Sequence, residues 1–228
     1  MIDAHFHLDK SMQELMIRHK INGIVNVANK KQYEEVIAFK KQYEDIAISV
    51  GIHPWDVEQV LLSEMEELFE KSDAIGEIGL DCVWCKCDFK HQYEVFEKQL
   101  QIAQQLNKPV IIHMMGYEQE VLTLIRKYSN RYLIHWVKPH FLLTEFIKLG
   151  CYFSVAYDYD EEVIKQIPND KLLVESDGLE SLKWLNIDIN HYEINYNKRL
   201  KMIACIKKQS ILQIKQQIIF NFNTFLNK

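Results

Sequence analysis

The amino-acid sequence predicts a single-domain (β/α)8 TIM barrel of the α/β class, on three observations. Short apolar or β-branched runs alternate with longer amphipathic stretches along the whole chain, and eight such runs are present. The 228 residues, 48% of them hydrophobic, suffice for one large core near the lower size limit of this fold. There are only seven glycines and four prolines, and no linker interrupts the pattern. We therefore expect residues 1–228 to form one domain.

The eight predicted strands follow one another at similar intervals. They are IDAHFH (2–7), GIVNVA (23–28), IAISVGI (46–52), AIGEIGL (74–80), PVIIHM (109–114), YLIHWV (132–137), CYFSVA (151–156) and KLLVES (171–176).

The intervals carry helical patterns. In residues 88–107, Phe89, Tyr93, Phe96 and Leu100 recur at helical spacing. Alternating strands and helices imply parallel strands joined by helical crossovers. A doubly wound open sheet is the alternative, because periodicity alone does not establish that the sheet closes.

Composition narrows the classes of function. The formal net charge of -5 offers no general attraction for nucleic acid, so any such contact would be local. Asp3, His5 and His7 occupy the segment where a signal peptide needs apolar residues, and no run approaches the roughly 18 apolar residues of a membrane helix. Five cysteines at uneven spacing favour reduced thiols over a disulfide framework. These features predict a cytoplasmic protein without membrane association.

Ionisable residues cluster at the carboxyl ends of the predicted strands, where barrel enzymes have their active sites. Taken singly, each histidine is typical of a hydrogen-bonded core residue. Each acidic residue, taken singly, is typical of a helix cap or an ion-pair partner. Together, such groups at the matching ends of five apolar strands are costly to bury unless they are paired or bind metal. The candidate metal ligands are His5, His7, Glu77, His113, His135 and Asp177.

Six ligands exceed the four of a closed tetrahedral site, so the set favours two divalent cations. A cation pair is suited to metal-assisted hydrolysis. The histidine-rich set favours zinc as the bound metal, with manganese, nickel or magnesium as alternatives that support activity. We expect His5, His7 and Asp177 around one ion, His113 and His135 around the other, and Glu77 as a bridge.

Six segments, in this order along the chain, match the pattern of a known family. They are DAHFHLD (3–9), GIHPWD (51–56), AIGEIGLD (74–81), KPVIIH (108–113), YLIHW (132–136) and KLLVESD (171–177). This linked set resembles the TatD-like metal-dependent hydrolases, a branch of the amidohydrolase-type barrels. The resemblance implies a divalent-metal barrel whose better-known members are deoxyribonucleases, some of which trim single strands from the 3′ end. It also implies metal-ligand roles for the same six residues, and for Asp177 a second role with the proton of the attacking water.

Three loops depart from the family pattern. MMGY (114–117), WVKPH (136–140) and DGLES (177–181) stand where the family usually has runs of the type SRDA, CFSG and DAPYL. We therefore expect a retained metal centre with a remodelled substrate pocket. The candidate substrate contacts are His53, Lys138 and His140, although a solvated loop explains the last two equally well.

Cys82, Cys85 and Cys87 lie directly after the fourth strand, beside the predicted site. They are interpreted as reduced loop thiols in preference to an additional zinc site, because no fourth ligand is evident.

The favoured hypothesis is a two-metal deoxyribonuclease of the exonuclease type that acts on single-stranded DNA or strand ends, with Asp177 and Glu77 as catalytic residues. Hydrolysis of a small amide or ester is the first alternative, favoured by the acidic net charge and by the loss of the polar run at 114–117. A non-catalytic protein that binds a partner encoded in the same operon is the second alternative, and the intact ligand set argues against it.

Overall fold

The computed structural model describes residues 1–139 and 141–227, and it contains a barrel of eight parallel strands. The spatial order of the strands is their order along the chain, and each strand is parallel to the next. The strands are β1 (Ile2–His7), β2 (Asn22–Val27), β3 (Ile46–Val50), β4 (Ala74–Asp81), β5 (Val110–Met115), β6 (Tyr132–Ile134), β7 (Tyr152–Val155) and β8 (Leu172–Val174).

The barrel closes where the chain beyond β8 meets β1. The backbone N–H of Asp177 donates to the carbonyl of His5 at 3.1 Å, and Phe6 pairs with Asp177 in a parallel bridge. Beside this bridge, the backbone N–H and the hydroxyl of Ser176 both donate to the Asp3 carboxylate, at 2.8 and 2.6 Å. The predicted (β/α)8 barrel is confirmed in preference to an open sheet.

Helices connect the strands and cover the outside of the barrel. Polar residues in the connecting loops cap the N-termini of several helices. The side chain of Asp9 accepts a hydrogen bond from the N–H of Met12 at 2.7 Å, and the side chain of Asp88 accepts one from the N–H of His91 at 3.1 Å. The helices are α1 (Lys10–His19), α2 (Lys30–Lys40), α3 (Leu62–Lys71), α4 (Phe89–Gln105), α5 (Glu118–Ile125), α6 (Leu143–Lys148), α7 (Glu161–Gln166), α8 (Leu179–Trp184), α9 (Tyr192–Lys207) and α10 (Ile211–Leu226). Among the described residues, no helix is long and apolar enough to cross a membrane.

The core lies inside the barrel and between the barrel and its helices. Strand residues such as Val25, Ile112 and Leu173 are fully buried, as expected for parallel strands covered on both faces. Against this apolar background, buried polar side chains need partners. Those in or next to the strands include Asp3, His5, Asn26, Ser49, Glu77, Asp81, His113, Ser154, Glu175 and Ser176.

Candidate metal centre

Local irregularities in two strands accompany the side chains at the centre of the site. Between Asp3 and Phe6, β1 contains one more residue than its partner β2, and between Ile75 and Ile78, β4 contains one more than β5. Such bulges bend a strand and redirect side chains, and they are common next to active sites. His5 lies within the first irregularity.

Glu77 lies within the second irregularity and is the central residue of the site. Its Oε2 lies 3.3 Å from His5 Nε2 and 3.5 Å from His7 Nε2. Its Oε1 lies 2.8 Å from both His113 Nδ1 and His135 Nε2. Each oxygen of this carboxylate thus contacts imidazoles, as a bridging carboxylate requires. The two pairs of rings adjoin each other, because the ring centroids of His5 and His135 are only 4.5 Å apart. Glu77 therefore belongs to two candidate metal-binding groups, one with His5 and His135 and one with His53 and His113.

Asp177 completes the group around His5 and His7. Its Oδ1 lies 3.3 Å from His5 Nε2 and 3.7 Å from His7 Nε2. Its Oδ2 accepts a 2.6 Å hydrogen bond from the Ser181 hydroxyl, and this bond fixes the plane of the carboxylate. The two oxygens of Asp177 therefore have different surroundings, one among histidines and one against α8.

All six side chains predicted as metal ligands lie together at the carboxyl end of the barrel. His5 and His7 share a face, as the alternation of a strand predicts, with ring centroids 5.4 Å apart. The His7 side chain is 50% exposed, whereas those of His5 and His135 are buried. The cluster is therefore closed towards the barrel interior and open to solvent on the His7 side. That these side chains bind metal stays a prediction.

His53 lies closer to this cluster than the sequence suggests. Its Nε2 is 3.4 Å from Glu77 Oε1, and its ring centroid is 4.4 Å from that of His113. Burial lowers the pKa of His53, against the opposing effect of Glu77, and so favours the neutral ring. A neutral imidazole at this place suits a metal ligand as well as the predicted contact to substrate.

Lys138 lies in the loop after β6, three residues beyond His135. Its ammonium pairs with the carboxylate of Asp158 and lies 5.4 Å from the ring centroid of Trp136. Its role as a substrate contact stays a prediction. His140, the other candidate in this loop, lies outside the described residues.

Two buried carboxylates contact the second ring nitrogen of two of the histidines. Asp81 Oδ2 lies 3.1 Å from His113 Nε2, and Glu175 Oε1 lies 3.4 Å from His135 Nδ1. Ser154 in turn donates a 2.5 Å hydrogen bond to the second oxygen of Glu175. Carboxylates in this position orient a metal-binding imidazole and raise its basicity. Sequence analysis gives neither acid a role, although both stand in the motifs GEIGLD and VESD that mark the strand ends.

Asn26 is a further supporting residue that sequence analysis missed. Its side-chain oxygen accepts a 2.6 Å hydrogen bond from the backbone N–H of Glu77. The available signal was a lone amide in the apolar run GIVNVA of β2. This bond holds the irregular part of β4 against β2 and so fixes the position of the Glu77 carboxylate.

The cysteine loop packs against the loop that follows β3, and within it the backbone N–H of Cys87 donates to Cys85 Sγ at 3.3 Å. Cys82 is exposed, Cys85 and Cys87 are half-buried, and all three are free thiols. The Cys85 thiol donates to the carbonyl of Pro54 at 3.2 Å. Within the described residues, none of the candidate metal-binding groups includes a cysteine. That these residues are reduced loop thiols stays a prediction.

The donor set fits divalent metal ions. Among the described residues, neither ring nitrogen of the buried His5 has a well-aligned hydrogen-bond partner, which leaves its Nε2 free to coordinate. Ligand atoms about 2.0–2.2 Å from a tetrahedral zinc ion are about 3.3–3.6 Å apart. The separations of 3.3–3.7 Å between the nitrogens of His5 and His7 and the oxygens of Glu77 and Asp177 are close to this value. His5, His7 and Asp177 form one candidate metal-binding group with mutually close ligand atoms, and Glu77 joins His5 in a second group.

The charges of the cluster are strongly coupled. Burial alone would raise the pKa of Glu77, but the surrounding imidazoles of His135, His53 and His5 outweigh burial and hold it well below its usual range. For His5, burial and His135 act to lower the pKa, while Glu77 and Asp177 raise it to about 9. In the absence of metal, protonated imidazoles such as His5 therefore balance the negative charge of the ionised carboxylates.

An eight-stranded barrel with a histidine–carboxylate cluster at the carboxyl ends of its strands defines the class of barrel-type metal-dependent hydrolases. The model of the TatD related DNase family matches residues 2–227, and the chain belongs to this family. It is similar to the Bacillus subtilis protein named uncharacterized metal-dependent hydrolase YabD, with 30% identity over 202 residues that cover 78% of this chain and 79% of the relative.

Two further comparisons extend this result. The 3′-5′ ssDNA/RNA exonuclease TatD of Shigella flexneri is 26% identical over 176 residues, which cover 69% of this chain and 68% of that protein. The crystal structure of YjjV, a TatD homologue from Escherichia coli, superimposes with a TM-score of 0.81 at 19% identity and covers 100% of this chain and 98% of the other. The fold is thus shared along the entire chain.

Proposed function

We propose that this metal-dependent hydrolase cleaves phosphodiester bonds at the ends of single-stranded nucleic acid, with two divalent cations. The observation that carries the proposal is that both oxygens of Glu77 contact imidazoles: Oε2 lies near His5 and His7, and Oε1 near His113 and His135. When bound, a pair of cations supplies hydroxide at neutral pH and stabilises charge on both the attacking and the leaving oxygen.

The residues of the chain have separate tasks in this proposal. Glu77 would hold the two cations at a fixed separation. Asp177 would accept the proton of the attacking water: its contacts with His5 outweigh burial and lower its pKa, so it is a carboxylate at neutral pH. The hydrogen bond from Ser181 leaves Oδ1 as the oxygen that faces the cluster. His53, which burial keeps neutral, would donate a hydrogen bond to the substrate.

The substrate class rests on similarity to the Shigella flexneri relative, whose name specifies single-stranded DNA and RNA and the 3′-5′ direction. The half-exposed His7 supports it, because an opening on this side lets a strand end reach the cluster from solvent. The favoured substrate is DNA, and RNA of the same sequence serves as the comparison.

The decisive experiment is digestion of 5′-labelled single-stranded DNA and RNA with added zinc, manganese or magnesium. Asp177→Asn is the test variant, because it retains the shape of the side chain but removes its basicity. Asp45→Asn is the matched control, since Asp45 is exposed at the opposite end of the barrel, just before β3. We expect metal-dependent stepwise shortening by the wild type and by Asp45→Asn, and a loss of at least about 100-fold in Asp177→Asn.

Two results would contradict the proposal. Shortening that is equal in wild type and Asp177→Asn would indicate a contaminating nuclease. The absence of cleavage by metal-loaded wild type would favour hydrolysis of a small amide or ester, which the acidic net charge of -5 supports. A panel of amide and ester substrates then tests this second function.

A further inference from the structure

The rim of the site is unusually rich in tryptophan. The chain contains four tryptophans: Trp55, Trp84 and Trp136 lie in the loops that follow β3, β4 and β6, and Trp184 contacts Trp136. Exposed apolar side chains that lie next to one another on a surface mark interaction sites, whereas isolated ones are common. Trp184, at the end of α8, remains 68% exposed.

Trp136 and Trp184 form an aromatic corner beside the cluster. Their ring centroids are 6.1 Å apart and the ring planes are inclined by 68°, so the edge of one ring meets the face of the other. The Trp184 side chain is largely exposed in this arrangement. Trp136 follows His135 directly in the chain, so the corner is joined to the candidate metal centre through Trp136.

Trp136 is held in a fixed position. Its backbone adopts the left-handed conformation, with φ of 43°, which bulky side chains rarely occupy. Its indole N–H donates a 2.6 Å hydrogen bond to Asp158 Oδ1, and the next residue, Val137, donates its N–H to the carbonyl of Ser154 at 3.1 Å. Strained conformations persist where the surroundings enforce them, and they concentrate at binding sites. Trp136 is therefore preorganised as the support of Trp184.

A positive charge lies at the same corner. The ammonium of Lys138 is 5.4 Å from the Trp136 ring centroid, and its side chain is 43% exposed. Its partner Asp158 is also partly exposed, so this ion pair is weak and a phosphate can compete for the ammonium. An aromatic face beside an exposed cation has the two features that bind single-stranded nucleic acid, since bases stack on the ring and phosphates pair with the charge.

We propose that Trp184, supported by Trp136 and Lys138, stacks a base of the single-stranded substrate and thereby positions the strand at the metal centre. This proposal rests on the proposed function. It makes Trp184, at the end of α8, a residue that helps to determine which substrates bind. The occupant is a nucleobase of any identity, because each base presents a π-face. The expected consequence is a preference for strands that carry bases over equally charged strands without them.

The test measures binding of two fluorescein-labelled probes by anisotropy. One is a ten-nucleotide thymidine strand with phosphorothioate linkages that slow hydrolysis, and the other has the same backbone with abasic residues. We expect the metal-loaded wild type to prefer the thymidine strand. Trp184→Ala should weaken binding of that strand by about 5- to 100-fold, the usual range for one lost stacking contact, and leave binding of the abasic strand unchanged.

Two variants serve as controls. Trp184→Phe keeps an aromatic face and should retain most of the preference. Phe220→Ala removes another exposed aromatic side chain, which lies on α10 next to Asn221, the residue that binds the carbonyls of Asn169 and Leu172 at the amino end of β8. Phe220→Ala should leave both affinities unchanged.

Failure of this proposal can be distinguished from failure of the proposed function. Suppose that wild type shortens unmodified DNA. If Trp184→Ala then binds the thymidine strand as tightly as wild type, or if its affinity for both probes falls by the same factor, the stacking role is wrong and the nuclease stands. If wild type neither cleaves DNA nor prefers the thymidine strand, both proposals are wrong. A preference without cleavage would retain the stacking role and reject the nuclease.

Discussion

Asp81 Oδ2 lies 3.1 Å from His113 Nε2 and also accepts a 2.6 Å hydrogen bond from the indole N–H of Trp55. The other oxygen of Asp81 accepts the backbone N–H groups of Val83 and Trp84, at 2.7 and 2.8 Å. One buried carboxylate thus fixes the ring of a candidate metal ligand and the two rim loops that carry Trp55 and Trp84. Asp81 thus connects the candidate ligand His113 to both rim loops through its hydrogen bonds.

Asp81→Asn should weaken metal binding without unfolding the barrel. An amide in this place keeps the shape but cannot stabilise the imidazole as a carboxylate does, and the loss of such an outer partner typically costs about 10- to 100-fold in metal affinity. Competition with a chromophoric chelator measures this affinity for zinc. Trp84→Phe is the control, because it changes an exposed side chain of the same loop and keeps the backbone N–H bond to Asp81 Oδ1, and it should keep wild-type affinity. Equal affinity of Asp81→Asn and wild type would contradict the supporting role.

Glu77→Gln should reduce the number of bound metal ions from two per chain to one or none. A neutral amide cannot bridge two cations, and the surrounding imidazoles would have no anionic partner in the middle of the cluster. Metal analysis after gel filtration gives the stoichiometry, and circular dichroism checks the fold. Ser181→Ala, which removes only the hydrogen bond to Asp177 Oδ2, should still bind two ions. Two ions bound to Glu77→Gln would exclude the bridge.

Metal binding should release protons between pH 6.5 and 9. Burial and His135 lower the pKa of His5, but Glu77 and Asp177 outweigh them and raise it from 6.5 to about 9, so this ring is protonated in the metal-free protein at neutral pH. A metal ion needs the neutral ring, and zinc affinity should therefore rise with pH up to about 9. Calorimetric titration in buffers of different ionisation enthalpy counts the released protons. No dependence of the heat on the buffer at pH 7 would contradict this prediction.

The stability of the metal-free protein should follow the opposite trend. Because the folded pKa of His5 lies above its unfolded value, the protonated ring contributes stability below pH 6.5, and this contribution is lost as pH rises through about 9. The free energy of unfolding of the metal-free protein should fall across that window, whereas the zinc-loaded protein should keep or gain stability. Urea unfolding at several pH values distinguishes the two trends.

The fold could be predicted closely from the sequence because buried parallel strands have continuous apolar runs. The predicted strand at 2–7 is β1, and that at 74–80 is β4 with one residue added. The sixth strand was predicted to extend to residue 137, but β6 ends at Ile134 because the chain turns into a left-handed conformation at Trp136. Periodicity does not encode such a turn.

The candidate ligands could be predicted for a related reason: strand ends in a barrel converge, so residues far apart in the chain meet there. The contacts that support these ligands could not be predicted from the sequence. That Asp81 reaches His113 depends on the register of β4 against β5, in which Gly79 is opposite His113. The contact between Trp136 and Trp184 likewise depends on the tertiary position of α8, for which the sequence carries no local signal.

Lys138→Met should lower the salt dependence of oligonucleotide binding. Each phosphate contact made by a cation contributes roughly 0.7 to the slope of log affinity against log salt for a single strand, so the slope should fall by about that amount. The pairing of Lys138 with Asp158 does not prevent such a contact, because ion pairs between partly exposed groups are worth only about 0–1 kcal/mol. Lys71→Met is the matched control, because Lys71 also pairs with a carboxylate, that of Glu67 in the last turn of α3. The Lys71→Met variant should leave the slope unchanged. An unchanged slope in Lys138→Met, measured with the phosphorothioate thymidine strand, would mean that Lys138 stays bound to Asp158 and makes no phosphate contact.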